Sequence, residues 1–343
     1  MTTDRLDNLL SAFPDLALAV VGDFFLDKYL VVDRTVSETS LETGKEAFQV
    51  VAVRQSPGAA GTVVNNLAAL GAGRLYAVGL TGDDGAGYEL RRGLAAEGVV
   101  LHYLQRADGF LTPTYTKPME RLPEGREAEM NRLDVKNRRP LPADAEYALL
   151  ESLRDVVTRA GALLIADQVP ERNCGVITDR VRAELCRLGL ERPELVLLAD
   201  SRERVGEFRD VLLKPNREEA RQALGEAAAG LDDAALGQAL SARCGRPVFL
   251  TCGAEGLLVC TAESATLVPA PPVTGPVDIV GAGDSVAAAL ALSPLAGATP
   301  VEAAAVANVV ASVTIQQLGT TGTATPEQVR ARFAEAAELY AGF

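Results

Sequence analysis

Histidine and tryptophan are nearly absent from this chain of 343 residues, which contains one histidine, His102, and no tryptophan. A single histidine excludes metal sites built from several histidines and argues against hydrolysis by a Ser-His-Asp or Cys-His group. His102 lies in the apolar segment Val99–Tyr103, where we expect it to be structural. Catalysis must therefore rely on carboxylates, amides and backbone groups.

The chain also lacks the marks of a secreted or membrane-spanning protein. None of its five cysteines has Cys-x-x-Cys spacing, which indicates reduced, packed thiols. The N-terminus does not have the basic-then-apolar order of a signal peptide. No apolar run reaches the ~18 residues that suggest a membrane span. We therefore expect a cytoplasmic protein.

Positive charge is in deficit as well. The chain has 33 Lys and Arg against 46 Asp and Glu, which gives a formal net charge of −13. This balance argues against a nucleic-acid or anionic-membrane partner. Because the overall field repels anions, any phosphate site would have to be built locally.

Helical and strand patterns alternate along most of the sequence. Apolar patterning predicts strands at 16–22, 75–80, 162–166, 195–199, 211–213 and 248–251, and helices at 4–13, 63–70, 87–97, 145–158 and 175–188. Strands that alternate with helices form a mostly parallel sheet covered on both faces. The sequence therefore predicts an α/β fold, a three-layer doubly wound sheet, in one domain spanning residues 1–343.

Two long segments interrupt this alternation, Tyr29–Gln55 and Leu101–Asp134. They are richer in polar and β-branched residues, and Phe48–Val53 alternates between the two kinds. Unstructured loops of this length are uncommon in compact domains. We predict short strands that form a small β-sheet lid; the alternative is ordinary surface loops.

One glycine-rich motif, Asp278–Ser285 (DIVGAGDS), stands directly before the helix-forming run Val286–Leu292. Its two glycines let the backbone approach a ligand, and the start of a helix presents unpaired N–H groups to an anion. Asp284 could then take a proton from a hydroxyl while the amides hold the phosphoryl group that the hydroxyl attacks. The alternative is that Asp284 is an ordinary helix N-cap.

Small and polar residues also follow several predicted strands, where ligands of open α/β sheets bind. They are Asp23 and Asp27 after the first strand, Gly58 and Ala59 before the helix that contains Asn65, Asn216 and Glu219 after the strand at 211–213, and Thr251, Gly253 and Gly256 after the strand at 248–251. Taken singly, each is also compatible with a turn or a helix cap.

In this order, the motifs resemble the ribokinase-like, or PfkB, family of carbohydrate kinases over about Val20–Thr325. The family's D-x-x-G-A-G-D pattern is present as Asp278–Asp284, and Ala307–Gly322 is similar to its closing helix and loop. Within the family, Gly22–Tyr29 and the lid residues Thr116, Lys117 and Arg132–Asp134 are most similar to kinases that phosphorylate heptose 7-phosphate. The resemblance implies a ribokinase-like fold and ATP- and Mg²⁺-dependent phosphorylation of a sugar or sugar phosphate.

The resemblance also implies a role for each motif. Asp284 is the base, and the amides of Gly281, Ala282 and Gly283 form the anion hole. Asn216 and Glu219 order Mg²⁺ through water, and Asp278 helps to bind a monovalent cation such as K⁺. The nucleotide is bordered by Thr251, Gly253, Gly256 and Asn308, and the substrate by Asp23, Asp27, Gly58, Ala59, Asn65, Lys117 and Arg132. Dimers are common in the family, and pairing of the lids would cover their exposed edge strands.

The chain departs from the family at two places. Where the family has P-G-G-A-A-N, Pro57–Thr62 has Ala59 for a glycine and Thr62 for the sugar-binding asparagine, for which Asn65 or Asn66 could compensate. Asp167–Arg172 departs from the D-Y-x-K-G of heptose kinases. The acceptor stays open between heptose 7-phosphate, another small sugar and a nucleoside.

Two alternatives to a kinase remain. One is a catalytically silent nucleotide- or sugar-binding protein of the same fold. The other is a Rossmann dehydrogenase, disfavoured because no G-x-G-x-x-G follows the first strand.

Overall fold

A large central sheet organises the structure, a computed structural model that describes residues 1–319 and 321–343. Numbered in chain order, its strands are β1 (Ala17–Gly22), β6 (Arg74–Thr81), β7 (Leu104–Arg106), β11 (Ala162–Asp167), β12 (Val196–Ser201), β13 (Leu212–Leu213), β14 (Val248–Thr251), β15 (Gly256–Cys260) and β16 (Ala265–Pro269). Their spatial order is β16-β15-β14-β13-β12-β11-β1-β6-β7. Strands β14 to β7 pair in parallel, and β15 and β16 are antiparallel.

Helices cover both faces of this sheet. They are α1 (Thr3–Ala12), α2 (Ala60–Ala69), α3 (Gly85–Ala96), α4 (Ala143–Val156), α5 (Asp179–Glu191), α6 (Arg217–Leu224), α7 (Asp233–Cys244), α8 (Ala282–Leu295), α9 (Pro300–Thr314) and α10 (Pro326–Glu335). In β1, Leu18 and Val20 pack with α1, α2, α8 and α9, whereas Ala19 and Val21 pack with α4 and α5. This alternation follows from the two-residue period of a strand, and it confirms the predicted three-layer, doubly wound sheet.

A smaller sheet stands beside the large one. It contains β2 (Phe24–Val32), β5 (Val50–Ala59), β8 (Thr114–Arg121), β9 (Glu127–Glu129) and β10 (Leu133–Val135), and a short hairpin joins β3 (Glu38–Thr39) to β4 (Glu46–Ala47). Strand β2 pairs antiparallel with β5 and parallel with β8. The predicted lid strands are therefore present. Strand β7 is an exception to the predicted lid boundaries, because it pairs with β6 in the large sheet.

The strand order reverses between β1 and β11, since the chain runs from β1 toward β7 and later from β11 toward β14. Ligands of open α/β sheets bind at the carboxyl edge of such a switch point. At this edge β1 ends with Gly22, and the chain leaves β11 at Gln168. Strand β2 then carries the chain directly from β1 into the small sheet. The fold thus places the small sheet next to the edge where a ligand is expected.

Other sequence-based predictions concern α5, the closing loop, membrane spans and the cysteines. Helix α5 begins at Asp179 rather than at Gly175, because the preceding segment forms a loop that binds another side chain, described below. Thr320, in the predicted closing loop, lies outside the described residues. Among the described residues, no helix combines the length and the apolar character needed to cross a bilayer, and all five cysteines are free thiols, as predicted.

Candidate active site

The glycine-rich motif forms the start of α8. Gly281 is the N-cap with φ +81°, a left-handed conformation that favours glycine, and Asp284 is the third residue of the helix. The alternative interpretation of Asp284 as the N-cap is therefore wrong. The Ala282 amide donates to the Ile279 carbonyl at 3.1 Å, so Ala282 is not a free donor in this conformation. The amides of Gly281 and Gly283 have no acceptor among the described residues, which leaves two donors for an anion.

Asp284 lies at the centre of a group of charged side chains. The pKa of its carboxyl is raised to about 7, mainly by burial and also by the charge of Asp200, while the charges of Lys214 and Arg202 oppose the rise. The charge of Asp27, in β2, also raises this pKa, so the small sheet contributes to the electrostatics of the site. The side chain is partly accessible. A half-buried carboxyl with a pKa near neutrality is suited to accept a proton at physiological pH.

A buried ion pair supports this loop, and sequence reasoning did not single it out. Lys214 Nζ lies 3.0 Å from Asp200 Oδ2, with both side chains almost fully buried. The same Nζ is 3.7 Å from where a Cβ on Gly283 would stand. Burial lowers the pKa of Lys214, but Asp200, Glu219 and Asp284 outweigh that effect and keep the ammonium charged. The only sequence signal was a charged residue at the end of each of two neighbouring strands.

Asn216 and Glu219 close the other side of the site in a helix-capping box. The Asn216 side chain accepts from the Glu219 amide at 2.9 Å, and Glu219 Oε2 accepts from the Asn216 amide at 2.8 Å. Asn216 is therefore the N-cap of α6, and Glu219 is the third residue of that helix. Burial raises the pKa of Glu219, and Lys214 opposes this. Among residues 1–319 and 321–343, no group donates a hydrogen bond to Glu219 Oε1, which leaves this oxygen for another partner.

These residues do not form a metal cage by themselves. In the described ranges, 1–319 and 321–343, no three His, Cys, Asp or Glu side chains cluster closely enough to hold a metal ion. Magnesium, however, keeps several waters and is usually held by one or two carboxylates together with substrate phosphates. The free oxygen of Glu219 fits that mode of binding.

On the small sheet, Asp27 marks the predicted substrate side. Its Oδ1 is 3.6 Å from Lys117 Nζ, and both side chains are less than one-fifth exposed. Burial raises the pKa of Asp27, and the charges of Lys117 and Arg132 oppose this, so both cations are near. A Cβ on Gly58 would stand 2.3 Å from Asp27 Oδ2. Glycine is thus required for Asp27 to occupy its place.

Arg132 lies farther out on the same sheet. It forms two hydrogen bonds to Asp134, at 2.7 and 2.9 Å, and its guanidinium carbon stands 4.4 Å from the Tyr115 ring centre. We call the region between the small sheet and the start of α8 the cleft. The structure places Lys117 and Arg132 on the small-sheet side of this cleft, as it does Asp27.

The altered Pro57–Thr62 segment links β5 to α2. Ala59 has φ 52° and ψ −117°, a conformation that L-residues other than glycine rarely adopt. Thr62 is buried, and its methyl group is 3.6 Å from the Cβ position of Gly281. Asn65, one helical turn on, has a buried Oδ1 without a partner among the described residues. Asn66 instead donates to the Thr62 carbonyl at 3.0 Å.

Asp23, predicted to bind substrate, is placed in the scaffold instead. It is 3% exposed and accepts from the amides of Gln168, Val169 and Val176 at 2.7 to 3.1 Å. Burial, with help from Asp167, raises its pKa to about 6. The carboxylate therefore fixes the loop 168–176 against β1, and this interaction explains the late start of α5.

Some predicted ligand residues have structural partners. Asn308 donates to the carbonyls of Val268 and Pro269 at 2.8 and 3.2 Å, and a Cβ on Gly256 would meet the Val268 oxygen at 2.2 Å. Asp278 accepts from the amides of Val280 and Gly319, which ties the loop before α8 to the end of α9.

Thr251 and Gly253, which were predicted to border a nucleotide, lie at and just after the end of β14. The Thr251 amide donates to the Pro215 carbonyl at 2.9 Å, which places the end of β14 beside Asn216. Gly253 is exposed, and its Cβ position meets open space. Thr251 thus lies next to the capping box, and the role of both residues at a nucleotide stays a prediction.

Comparison with known proteins agrees with this geometry. The family described as pfkB family carbohydrate kinase matches residues 18–328. A curated relative, Bifunctional protein HldE of Rhodopseudomonas palustris (strain TIE-1), is 32% identical over 340 residues, which cover 98% of this chain and 67% of that protein. Phosphofructokinase-2 from Escherichia coli, in complex with potassium, has a TM-score of 0.69 at 18% identity and covers 94% of this chain and 99% of its own. Ribokinase from Arabidopsis thaliana, complexed with ribose and ATP, has a TM-score of 0.64 at 19% identity, over 92% of this chain and 98% of its own.

The fold is thus that of the ribokinase-like α/β proteins, with the charged cleft at the switch point of the sheet. The chain belongs to the pfkB family of carbohydrate kinases. It is an enzyme of the sugar-kinase class, and the dehydrogenase alternative is wrong.

Proposed function

We propose that this protein transfers the γ-phosphoryl group of ATP to a hydroxyl of a phosphorylated sugar, with heptose 7-phosphate as the first acceptor to test. The observation that carries the proposal is Asp284, whose pKa lies near 7. It stands at the start of α8, beside two amides that have no acceptor in the described part of the chain, and its pKa is also influenced by Asp27 of the small sheet. A base, an anion hole and a substrate-binding carboxylate thus meet at one point.

The chemistry follows from this arrangement. Asp284 takes the proton of the acceptor hydroxyl while the hydroxyl oxygen attacks the γ-phosphorus of ATP. The bond between the γ-phosphorus and the bridging oxygen breaks, and ADP leaves with its electrons. The amides of Gly281 and Gly283 and the Lys214 ammonium stabilise the charge on the transferring group, the largest contribution in phosphoryl transfer. No covalent enzyme intermediate is needed, consistent with a site that contains neither histidine nor a reactive thiol.

Mg²⁺ belongs to the proposal as the ion that neutralises the nucleotide phosphates. Glu219, through Oε1, and Asn216 would hold its water ligands. Thr251 and Gly253 border the phosphates, Asn308 and Gly256 support the neighbouring strand behind them, and Asp278 is the proposed support for a monovalent cation such as K⁺.

The acceptor side favours an anion. Lys117 and Arg132 lie beside Asp27 in a protein whose overall charge is −13. Each is paired with a carboxylate, Lys117 with Asp27 and Arg132 with Asp134, and each has further N–H groups that could donate to an anionic acceptor. Asn65 has a free buried oxygen and lies on the same helix face as Thr62. It is our proposed substitute for the sugar-binding asparagine of the family.

A coupled ADP-release assay over matched acceptors tests this function. The panel pairs heptose 7-phosphate with heptose and fructose 6-phosphate with fructose, and adds ribose and a nucleoside. We expect the highest kcat/KM with a phosphorylated sugar. Preference for an unphosphorylated sugar or a nucleoside would refute the proposed acceptor class, and binding of ATP and sugar without turnover would support the silent protein.

We further propose a cytoplasmic homodimer joined through the small sheet. Val51 and Val53 of the edge strand β5 are 45% and 53% exposed and share one face. An exposed apolar edge strand is a liability unless another chain covers it. Light scattering after gel filtration should give twice the chain mass for the wild type and the monomer mass for Val53→Glu; a monomeric wild type would contradict the dimer.

A further inference from the structure

Arg202 follows β12 directly, at the edge of the large sheet that faces the cleft. Its backbone amide bonds to the Asp167 carbonyl at 3.2 Å, which continues the pairing of β12 with β11. Arg202 is the first residue of the turn after β12. Asp200, two residues earlier at the same edge, faces Lys214.

The charge of Arg202 acts on three parts of the cleft. It lowers the pKa of Asp284 on α8, of Glu219 on α6 and of Tyr115 on β8, against the stronger effect of burial in each case. These three side chains belong to the proposed base, the proposed metal shell and the small sheet. The Arg202 backbone lies at the carboxyl ends of β11 and β12, beside the switch point of the sheet, so geometry and charge both assign Arg202 to this edge.

The guanidinium is held in place but not neutralised. Its Nε donates to Gln168 Oε1 at 2.7 Å, and Gln168 itself is buried on the loop that Asp23 fixes. The neighbouring cations are paired, Arg204 with Asp167 at 2.9 Å and Lys214 with Asp200 at 3.0 Å. Within residues 1–319 and 321–343, no carboxylate pairs with Arg202, and its terminal nitrogens donate to no described acceptor.

An exposed guanidinium that is oriented by a neutral amide and faces a cleft is suited to bind a phosphate through two parallel N–H bonds. We infer that Arg202 contacts a phosphate group of the reactants at this junction and that Gln168 is its positioning residue. This inference rests on the proposed function. The phosphate is either the transferring γ-phosphoryl or one carried by the acceptor, and the two sources are separable by kinetics.

The substitutions Arg202→Gln, Arg202→Lys and Gln168→Glu test the inference. Arg202→Gln removes the charge, and Arg202→Lys keeps it but loses the planar fork. Gln168→Glu places a carboxylate within reach of the guanidinium and neutralises it without changing Arg202. The matched control is Arg243→Gln, because Arg243 is also exposed and has one hydrogen bond to an uncharged oxygen, the Ala223 carbonyl.

KM and kcat are measured with ATP, with the best phosphorylated acceptor and with its unphosphorylated counterpart. Loss of a charged hydrogen bond predicts a change of roughly 10- to 100-fold. A rise of KM confined to the phosphorylated acceptor identifies the acceptor's phosphate, and a fall of kcat with both acceptors identifies the transferring group. Gln168→Glu should change the same kinetic constant as Arg202→Gln does. Arg202→Lys should change that constant less than Arg202→Gln, because lysine keeps the positive charge.

Inorganic phosphate supplies a readout that does not require turnover. Isothermal titration should show weaker phosphate binding to Arg202→Gln than to the wild type and to Arg243→Gln. If Arg202→Gln matches Arg243→Gln in both kinetics and titration, the inference is wrong. If the wild type phosphorylates none of the acceptors, the proposed function fails, while the phosphate titration still decides whether Arg202 binds phosphate.

Discussion

Gly58→Ala is expected to abolish most activity by displacing Asp27 rather than by unfolding the protein. The new methyl carbon would stand 2.3 Å from Asp27 Oδ2 and 2.9 Å from its Cγ. Carbon atoms need about 3.5 Å, so the carboxylate must shift by about 1 Å. A shift of that size near the reacting atoms can cost about 10²-fold in rate, which corresponds to about 2.7 kcal/mol.

Stability should change little, because Gly58 lies in the extended strand β5, where alanine is also allowed. The assay is kcat/KM for ADP release together with the free energy of unfolding in urea. Gly85→Ala is the control, since Gly85 starts α3 and its Cβ would meet nothing within 4 Å. We expect the control to keep wild-type kcat/KM.

A double-mutant cycle shows whether Gly58→Ala acts through Asp27. Once Asp27→Ala has removed the carboxylate, adding Gly58→Ala should have little further effect on kcat/KM. Wild-type activity in Gly58→Ala, or simple additivity of the two substitutions, would refute the reasoning that Gly58 is kept small for Asp27.

Three further predictions concern Ala59, Asp23 and Asp284. Ala59→Gly should raise the free energy of unfolding in urea by about 1 kcal/mol, because relief of the positive φ (about 1–3 kcal/mol) exceeds the added chain entropy of glycine; a lower free energy of unfolding would contradict this. Asp23→Ala should lower the free energy of unfolding by roughly 3 kcal/mol or more, because three buried amides lose their acceptor; a loss below about 1 kcal/mol would be inconsistent with the structure. The kcat/KM of the wild type should rise tenfold per pH unit up to about pH 7 and level off above, as Asp284 deprotonates; a flat profile would exclude Asp284 as the base.

Asp284 also makes a prediction about stability. Because its pKa is raised above the ordinary 3.8, the folded protein holds this proton more tightly than the unfolded chain. Deprotonation therefore destabilises the fold progressively between about pH 4 and pH 7. The melting temperature of Asp284→Asn should exceed that of the wild type at pH 8 and match it near pH 3.5. A difference independent of pH would contradict the sign of the shift.

The sequence was sufficient to predict the layers of the fold and the helix start on which the candidate site is built. The side chains of Leu18–Val21 point alternately toward the two helical layers. The glycines before α8 indicated the start of a helix, a feature that can bind an anion. These features depend on local periodicity and backbone conformation, which are properties of neighbouring residues.

The direction of a side chain at a strand end was not predictable. Asp23 and Asp27 are both aspartates and are four residues apart, yet one binds three amides of a distant loop and the other lies beside Lys117 on the small sheet. Lys214 and Asp200 lie at the ends of two consecutive strands, and they gain their importance from acting together on Asp284 of α8, far along the chain from both. Such a long-range interaction has no local signature.

The most direct test of the central claim compares Asp284→Asn with the wild type in phosphoryl transfer from ATP to the best acceptor of the panel. The substitution keeps the size of the side chain and removes its basicity. We predict a fall in kcat of roughly 10²–10⁴-fold, the usual contribution of a positioned general base, with ATP binding by calorimetry unchanged. A variant that turns over its acceptor at the wild-type rate would show that Asp284 is not the base.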